Sequence, residues 1–444
     1  MFAALGLLIF SGYPVGLVLA GVGLGAAFTG YAFDVFSLIE LFNIVSRIYG
    51  GLIESPVLVA IPMFIFMGTM LEKSGVAQDL LHCLQVLLRR IPGGLALSVT
   101  LMGTIMAATT GIIGASVVMM TLLALPVMVQ RRYDTSLATG TIAASGTLGI
   151  LIPPSIMLVL MADLLAISVG VLFLAAIIPG LILAGFYLAY IGVLCGFKPH
   201  LAPPLPEDEG PSSWLGLLAM VTGSFIPPVL LIVVVLGSIF LGFATPTEAA
   251  GIGAFAATVL ALLRGRLKGK VLGEVVERSA KTNAMLFFIF VGATAFSYVF
   301  RSLGGDYLVV DFVESLDLGP WGILLILMGV VFVLGFFFDW IEITLIVLPI
   351  FTPIIELLDF QGHVAPADIV PWFAILVAIN LQTSFLTPPF GFALFYMKGV
   401  APPGVKIQQI YKGIIPFVLL QLVGLGLVMA FPDIAMWLPN QLLD

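Results

Sequence analysis

Charge is what this sequence has least of. Lys, Arg, Asp and Glu make up 9% of its 444 residues and hydrophobic residues 61%, whereas about a quarter of a soluble domain is charged. So few charges cannot cover a surface facing water. Cysteine is nearly absent too: Cys83 and Cys195 stand far apart without ligand-like spacing, which excludes a disulfide framework or a thiolate transition-metal site. Both read as small packing residues. His82, His200 and His363 fall in connecting segments, so no histidine relay crosses the apolar runs. There is no phosphate-binding loop, and a net charge of −7 with short basic clusters gives no nucleic-acid surface. An embedded hydrolase would need a His, Ser or paired-carboxylate constellation at membrane depth. None is visible, and the chain is not expected to be an enzyme.

What is present is lipid-compatible sequence. The mean hydropathy is +1.21, and Phe2 to Phe28, Trp214 to Phe243 and Trp321 to Phe338 carry no charge. At roughly 20 residues per span, the sequence predicts an all-α polytopic membrane protein of about nine to eleven spans plus two hairpins. The first run lacks a basic start and a small-residue cleavage site and is expected to be a retained first helix.

The chain also repeats itself. FIFMG at Phe64 to Gly68 returns as FIFVG at Phe288 to Gly292, Leu122 to Pro126 as Leu345 to Pro349, Pro153-Pro154 as Pro388-Pro389, and Ile177 to Pro179 as Ile414 to Pro416. The order is kept, at offsets of 223 to 237 residues. Lys73, Arg89, Arg90, Arg131 and Arg132 flank the first set, whereas the second is flanked by Asp306, Asp311, Glu314, Asp317, Glu356, Asp359 and Asp368, with Arg301 the one base among them. Because basic loops stay inside, the halves are predicted to be inverted. Residues 1–200 are assigned to the first repeat, 201–241 to a connecting loop and linking helix, and 242–444 to the second repeat.

Forty uncharged residues separate Arg90 from Arg131, and both flanks are basic. A tight pair of spans or a re-entrant hairpin would fit; the central TTGIIGAS, Thr109 to Ser116, favours a hairpin over about 93–128, because non-helical backbone at membrane depth must be buried in protein. Its counterpart, 319–353, breaks near Asp339. Each hairpin precedes a run split by paired prolines, about 137–165 and 371–398. Proline removes a donor and clashes with the preceding turn, so each run is predicted to form two half-helices. Ordinary proline kinks are the bland alternative, but the double, inverted occurrence favours a binding site. Half-helix C-termini and unwound carbonyls suit Na⁺, and half-helix N-termini an anionic substrate group. Thr147, Thr383, Ser384, Thr387 and Ser116 add hydroxyl oxygens there. A mid-run acid such as Asp339 is a candidate ligand by default, while Glu342 is expected to be structural.

AIPMFIFMGTMLEKSG, TGIIGAS, YDTSLATGTIAASGTLGILIPPS, GFATPTEAA and the late TPPFG together resemble the large membrane subunit of tripartite ATP-independent periplasmic transporters, over nearly the whole chain. One departure is the first hairpin tip, Gly111 to Ser116, where many members are serine-rich. The resemblance implies an elevator-type transporter in the bacterial inner membrane, Na⁺ as coupling ion without other cofactors, a small four-helix membrane partner and a periplasmic solute-binding protein. By the same resemblance, cations would be held by Ser116 with Gly146, Thr147 and Gly149, and by Asp339 with Thr383, Ser384 and Thr387. A small carboxylate-bearing substrate would meet Gly114, Ser116, Pro153, Pro154, Ser155, Pro388 and Pro389. A stand-alone Na⁺/dicarboxylate symporter or a channel are the alternatives.

Overall fold

The computed structural model describes residues 1–110, 113–206, 210–211, 213–388 and 391–443. Regular structure among the described residues is entirely helical. Among the described residues, eight helices are long and apolar enough to cross a bilayer, and glycine and proline cut several other apolar runs short. The first run is one of these. Gly12 takes a left-handed φ of +80° and Pro14 follows, so Phe2–Ile9 ends and Val15–Ala32 starts afresh. Phe2 packs edge-on to Phe296 and Phe300, and Phe10 to Phe337. The single first helix expected over Phe2 to Phe28 is thus a short helix doubled back on a longer one.

Most of the remaining helices fall into two matched series. Ala60–Lys73, Val76–Leu87, the pair Gly94–Thr110 and Ile113–Gln130, the split run Thr135–Thr147 and Ile156–Leu164, and Val169–Phe197 are followed, in the same order, by Gly269–Ser302, Gly305–Ser315, the pair Pro320–Leu334 and Trp340–Glu356, the split run Ile369–Ser384 and Phe392–Val400, and Ile407–Ala430. Cross-packing follows the same symmetry: Val15–Ala32 lies along Gly269–Ser302, and Pro246–Leu263 along Ala60–Lys73.

The two series run in opposite directions. At one end, backbone bonds from Gly93 to Ala202, Asp134 to Leu201 and Leu205 to Arg89 gather the termini around the first hairpin, and Gly413, early in Ile407–Ala430, packs on Ser136. At the other end, Trp372, at the start of the second split run, donates its indole N–H to Val428, late in that same helix. The first split run therefore begins where the second finishes. Basic residues collect at the first end, where Arg264 and Arg266 pair with Asp79, Arg278 with Glu72, and Lys73 with Glu274.

Composition explains which helices lie innermost. Thr135–Thr147 (TSLATGTIAASGT) has small residues on every face and is buried from Leu137 onward, as is nearly all of Ile369–Ser384. Small residues let helix backbones approach closely in an apolar surround. At Gly140 and Gly413 they touch: a Cβ on Gly140 would collide with the carbonyl of Gly413, and one on Gly413 with that of Ser136. Overpacking of a tight core typically costs about 1–3 kcal/mol. Gly140→Ala or Gly413→Ala should therefore lower the melting temperature of the detergent-purified protein, whereas Gly251→Ala, which meets nothing within 4 Å, should leave it unchanged.

Candidate functional site

The first break follows from paired prolines. Helix Thr135–Thr147 tightens into a short turn over Leu148–Ile150, and a new helix starts at Ile156. Pro153 and Pro154 supply no amide hydrogen there, and Ser155 donates its hydroxyl to the Ile150 carbonyl at 2.6 Å, satisfying one group the break exposes. In the second split run, Ile369–Ser384 ends in turns at Phe385 to Pro388 and resumes at Phe392.

Four contacts draw the breaks and hairpins into one core. Gly146, beside the first break, packs on Val117 of the first hairpin; Gly114, near that hairpin's turn, packs on the ring of Tyr396 after the second break; Gly335, at the turn of the second hairpin, packs on Ser384. The fourth joins the two breaks. The Gln382 amide nitrogen donates to the Thr147 hydroxyl at 3.3 Å. Gln382 also reaches the Tyr187 hydroxyl at 3.4 Å, and Gln421 donates to the same hydroxyl at 2.8 Å. All four side chains are fully buried.

The hydroxyls at these breaks share a common arrangement. Thr147 donates to the Ala144 carbonyl, Thr383 to Ile379, Ser384 to Leu381 and Thr387 to Thr383, at 2.8 to 2.9 Å. With the proton spent on the preceding turn, the oxygen lone pairs remain to accept a donor or hold a cation. Gln382 Oε1, Gln421 Oε1 and Thr141 Oγ1 are buried without a hydrogen-bond partner among the described residues. An orphaned buried polar atom costs about 1–3 kcal/mol, so these oxygens fit a site for a cation or water.

A cavity of about 570 Å³ lies beside this core. Asp339, Glu342 and Phe336 of the second hairpin, Phe392 and Tyr396 after the second break, and Phe288 of Gly269–Ser302 form much of its wall. Asp339 caps helix Trp340–Glu356 by accepting the Trp340 N–H at 2.8 Å. Glu342, expected to be structural, borders the same cavity, and its Oε2 has no hydrogen-bond partner among the described residues. A second cavity of about 480 Å³ lies further along the same two helices. Both fall within the 300–1,000 Å³ typical of small-molecule sites.

The structure thus brings Gly114, Gly146, Thr147, Thr383, Ser384 and Asp339 into this core or its cavity wall. Ser116 is buried on the first hairpin, and Thr387 and Pro388 are half-buried at the second break. Gly149, Pro153, Pro154 and Ser155 are buried at the first break and line neither cavity. Pro389, and the hairpin residues Gly111 and Ile112, lie outside the described residues. Sequence reasoning missed Gln382, Gln421, Tyr187 and Tyr396. A glutamine amide in the middle of an apolar helix is a signal that could have exposed the first two.

Comparison with known proteins agrees with this architecture. The family model described as "Tripartite ATP-independent periplasmic transporter, DctM component" matches residues 2–434. A C4-dicarboxylate TRAP transporter large permease protein from Pseudomonas aeruginosa is 31% identical, over 88% of this chain and 87% of its own length. An isethionate TRAP transporter permease protein, DctMQ, from Oleidesulfovibrio alaskensis is 29% identical, over 98% of this chain and 65% of its own length. The crystal structure of the YdaH transporter of Alcanivorax borkumensis superposes with a TM-score of 0.61 at 15% identity, covering 91% of this chain and 89% of that one.

The shared hydroxyl of Tyr187 yields a stability test. Tyr187→Phe should destabilise the purified protein by about 1–3 kcal/mol, because the Gln421 amide loses its acceptor and the Gln382 amide one of two, and Gln421→Leu added to Tyr187→Phe should cost less than the sum of the two single changes. Thermal unfolding of the three variants checks both statements.

Proposed function

Because this chain belongs to the DctM component family of tripartite ATP-independent periplasmic transporters and is a multi-pass large permease, we propose that it drives Na⁺-coupled uptake of a small carboxylate-bearing solute across the bacterial inner membrane. A periplasmic binding protein delivers the solute, and a small four-helix membrane subunit completes the permease. The isethionate relative, with about a third of its length beyond the matched region, has room for such a subunit within one chain. Membership of a tripartite family disfavours a stand-alone symporter.

One observation carries the Na⁺ part of this reading: the Gln382 amide nitrogen donates to the Thr147 hydroxyl and so draws the oxygen-bearing side chains of two interrupted helices into one fully buried core. Bound Na⁺ is a hard cation and takes such oxygen ligands, along with carbonyls freed at helix breaks. One ion is assigned to Ser116, Gly146, Thr147 and Gly149, another to Asp339, Thr383, Ser384 and Thr387. Two carboxylates, Asp339 and Glu342, border the adjoining cavity. When ionised they would repel an anionic solute, and a bound cation beside them would offset that repulsion, which gives Na⁺ loading a physical role in substrate binding. The substrate is assigned to the space between the hairpin turns and the two breaks, near Gly114, Ser116, Pro153 to Ser155, Pro388 and Pro389.

Motion follows from the layering. The hairpins pack on the buried split runs, while Val15–Ala32, Ala60–Lys73, Pro246–Leu263 and Gly269–Ser302 pack among themselves as a frame. In the elevator reading, hairpins and split runs shift together along the frame once the ions and solute have closed the hairpins over them.

Proteoliposomes holding this chain, its small partner and the loaded binding protein should accumulate solute only with an inward Na⁺ gradient; equal uptake without sodium would sink the coupling. Thr383→Val keeps the shape but removes a ligand oxygen, and should raise the Na⁺ concentration for half-maximal uptake about tenfold, the equivalent of about 1.4 kcal/mol. A Na⁺ titration of initial uptake rates reads this directly.

A further inference from the structure

The sequence has 17 lysines and arginines, and two of them stand away from the basic end described above. Arg47 lies near the end of helix Phe42–Ile48 and Arg301 near the end of Gly269–Ser302. Both line the same cavity of about 480 Å³. The surrounding end of the molecule is otherwise acidic, with Asp306, Asp311, Asp317, Glu356, Asp359 and Asp368 in its connecting segments and short helices. Two lone cations converging on one cavity of an acidic face call for a physical reason.

The cavity is placed to matter. One side is Ser297, Tyr298 and Arg301 of the frame helix Gly269–Ser302, with Arg47 from Phe42–Ile48; its other side is Asp163, from the end of the first split run, and Pro349, from the second hairpin. It therefore opens on the same seam as the larger cavity, on the side away from the basic end. From Phe288 to Arg301 is 13 residues of one helix, about 20 Å at 1.5 Å per residue. An anion arriving from the acidic face would meet the arginines before it reached Asp339 and the hairpin turns.

The two arginines are held differently. Arg301 donates to the Pro349 carbonyl at 2.9 Å and pairs loosely with Asp306 at 3.5 Å. Arg47 sits 5.9 Å from the Tyr298 ring centroid, and Asn43 fixes that ring by donating to its hydroxyl at 2.8 Å. No carboxylate of the described residues pairs with Arg47. Asp163, the one acid in the lining, already accepts a bond from Ser55 at 2.8 Å. A guanidinium offers paired donors that match a carboxylate, and Arg47 has its donors to spare.

We propose that Arg47 and Arg301 form an outward-facing anion site, in which a small carboxylate docks in the seam before passing to the hairpin turns. This rests on the reading that the cargo is a small anion. The site offsets the repulsion of the acidic face around it and raises the local concentration of anions at the seam.

Thiol modification tests this without turnover. Cys83 and Cys195 are buried, so Ser297→Cys, in membranes containing the small subunit, supplies the reactive thiol, with Thr294→Cys as a second position. Rates with an anionic sulfonatoethyl and a cationic trimethylammonioethyl methanethiosulfonate, added from outside, are each normalised to 2-mercaptoethanol. The anionic reagent should be favoured about tenfold, R47Q should bring the ratio close to one, D163N should raise it, and millimolar succinate should slow the reaction. A parent ratio near one, a ratio unmoved by R47Q, or failure of both reagents to reach either position would overturn the proposal. Protection by ligand-free binding protein with none from succinate would also overturn it, in favour of a protein-docking surface. Since labelling needs no sodium, an anion preference that persists when uptake proves sodium-independent would refute the coupling and leave this site standing.

Discussion

A backbone amide or carbonyl in hydrocarbon must find its partner inside the protein, and this requirement governs the rest of the fold. Two helices are broken by proline and two more turn back on themselves, so this chain has several sets of freed backbone groups to protect. The protection is burial. Thr135–Thr147 and Ile369–Ser384 are the most enclosed helices of the molecule, and the hydroxyls of Ser155 and Thr387 return bonds to carbonyls near the breaks. Small residues on every face of the first of these helices make that enclosure sterically feasible. A frame of longer apolar helices then separates this core from lipid on one side.

That arrangement has a chemical corollary. Oxygen atoms that serve the backbone with their proton keep their lone pairs for another partner, and they cluster where the helices are interrupted. The interruptions thus supply oxygens, and the need to bury them creates the dry surround in which the proposed cation would be held tightly. Site and fold have a single cause.

Much of this was legible in the sequence because its marks are covalent. Proline pairs, glycine-rich turns and charge-free stretches announce breaks and hairpins, and Arg89, Arg90, Arg131 and Arg132 against Asp306, Asp311 and Asp359 announce inversion. Less legible was whatever depends on distant residues meeting. Nothing local to Gln382, Gln421 or Tyr187 tells that they share one hydroxyl, since 195 and 234 residues separate the glutamines from the tyrosine. Nor does the sequence around Glu342 tell that a cavity adjoins it. The first run looked continuous because hydropathy does not register the left-handed turn at Gly12 ahead of Pro14.

The contact between Gly140 and Gly413 has a consequence for descent. It joins the first split run to the last long helix of the other series, backbone against backbone, with no side chain between to adjust. If the two series arose by duplication, this joint had to be kept as each copy diverged, because any larger residue would pry them apart. A side chain added at this seam thus disturbs two helix backbones at once, whereas one changed in a cavity wall has open space to take up the difference.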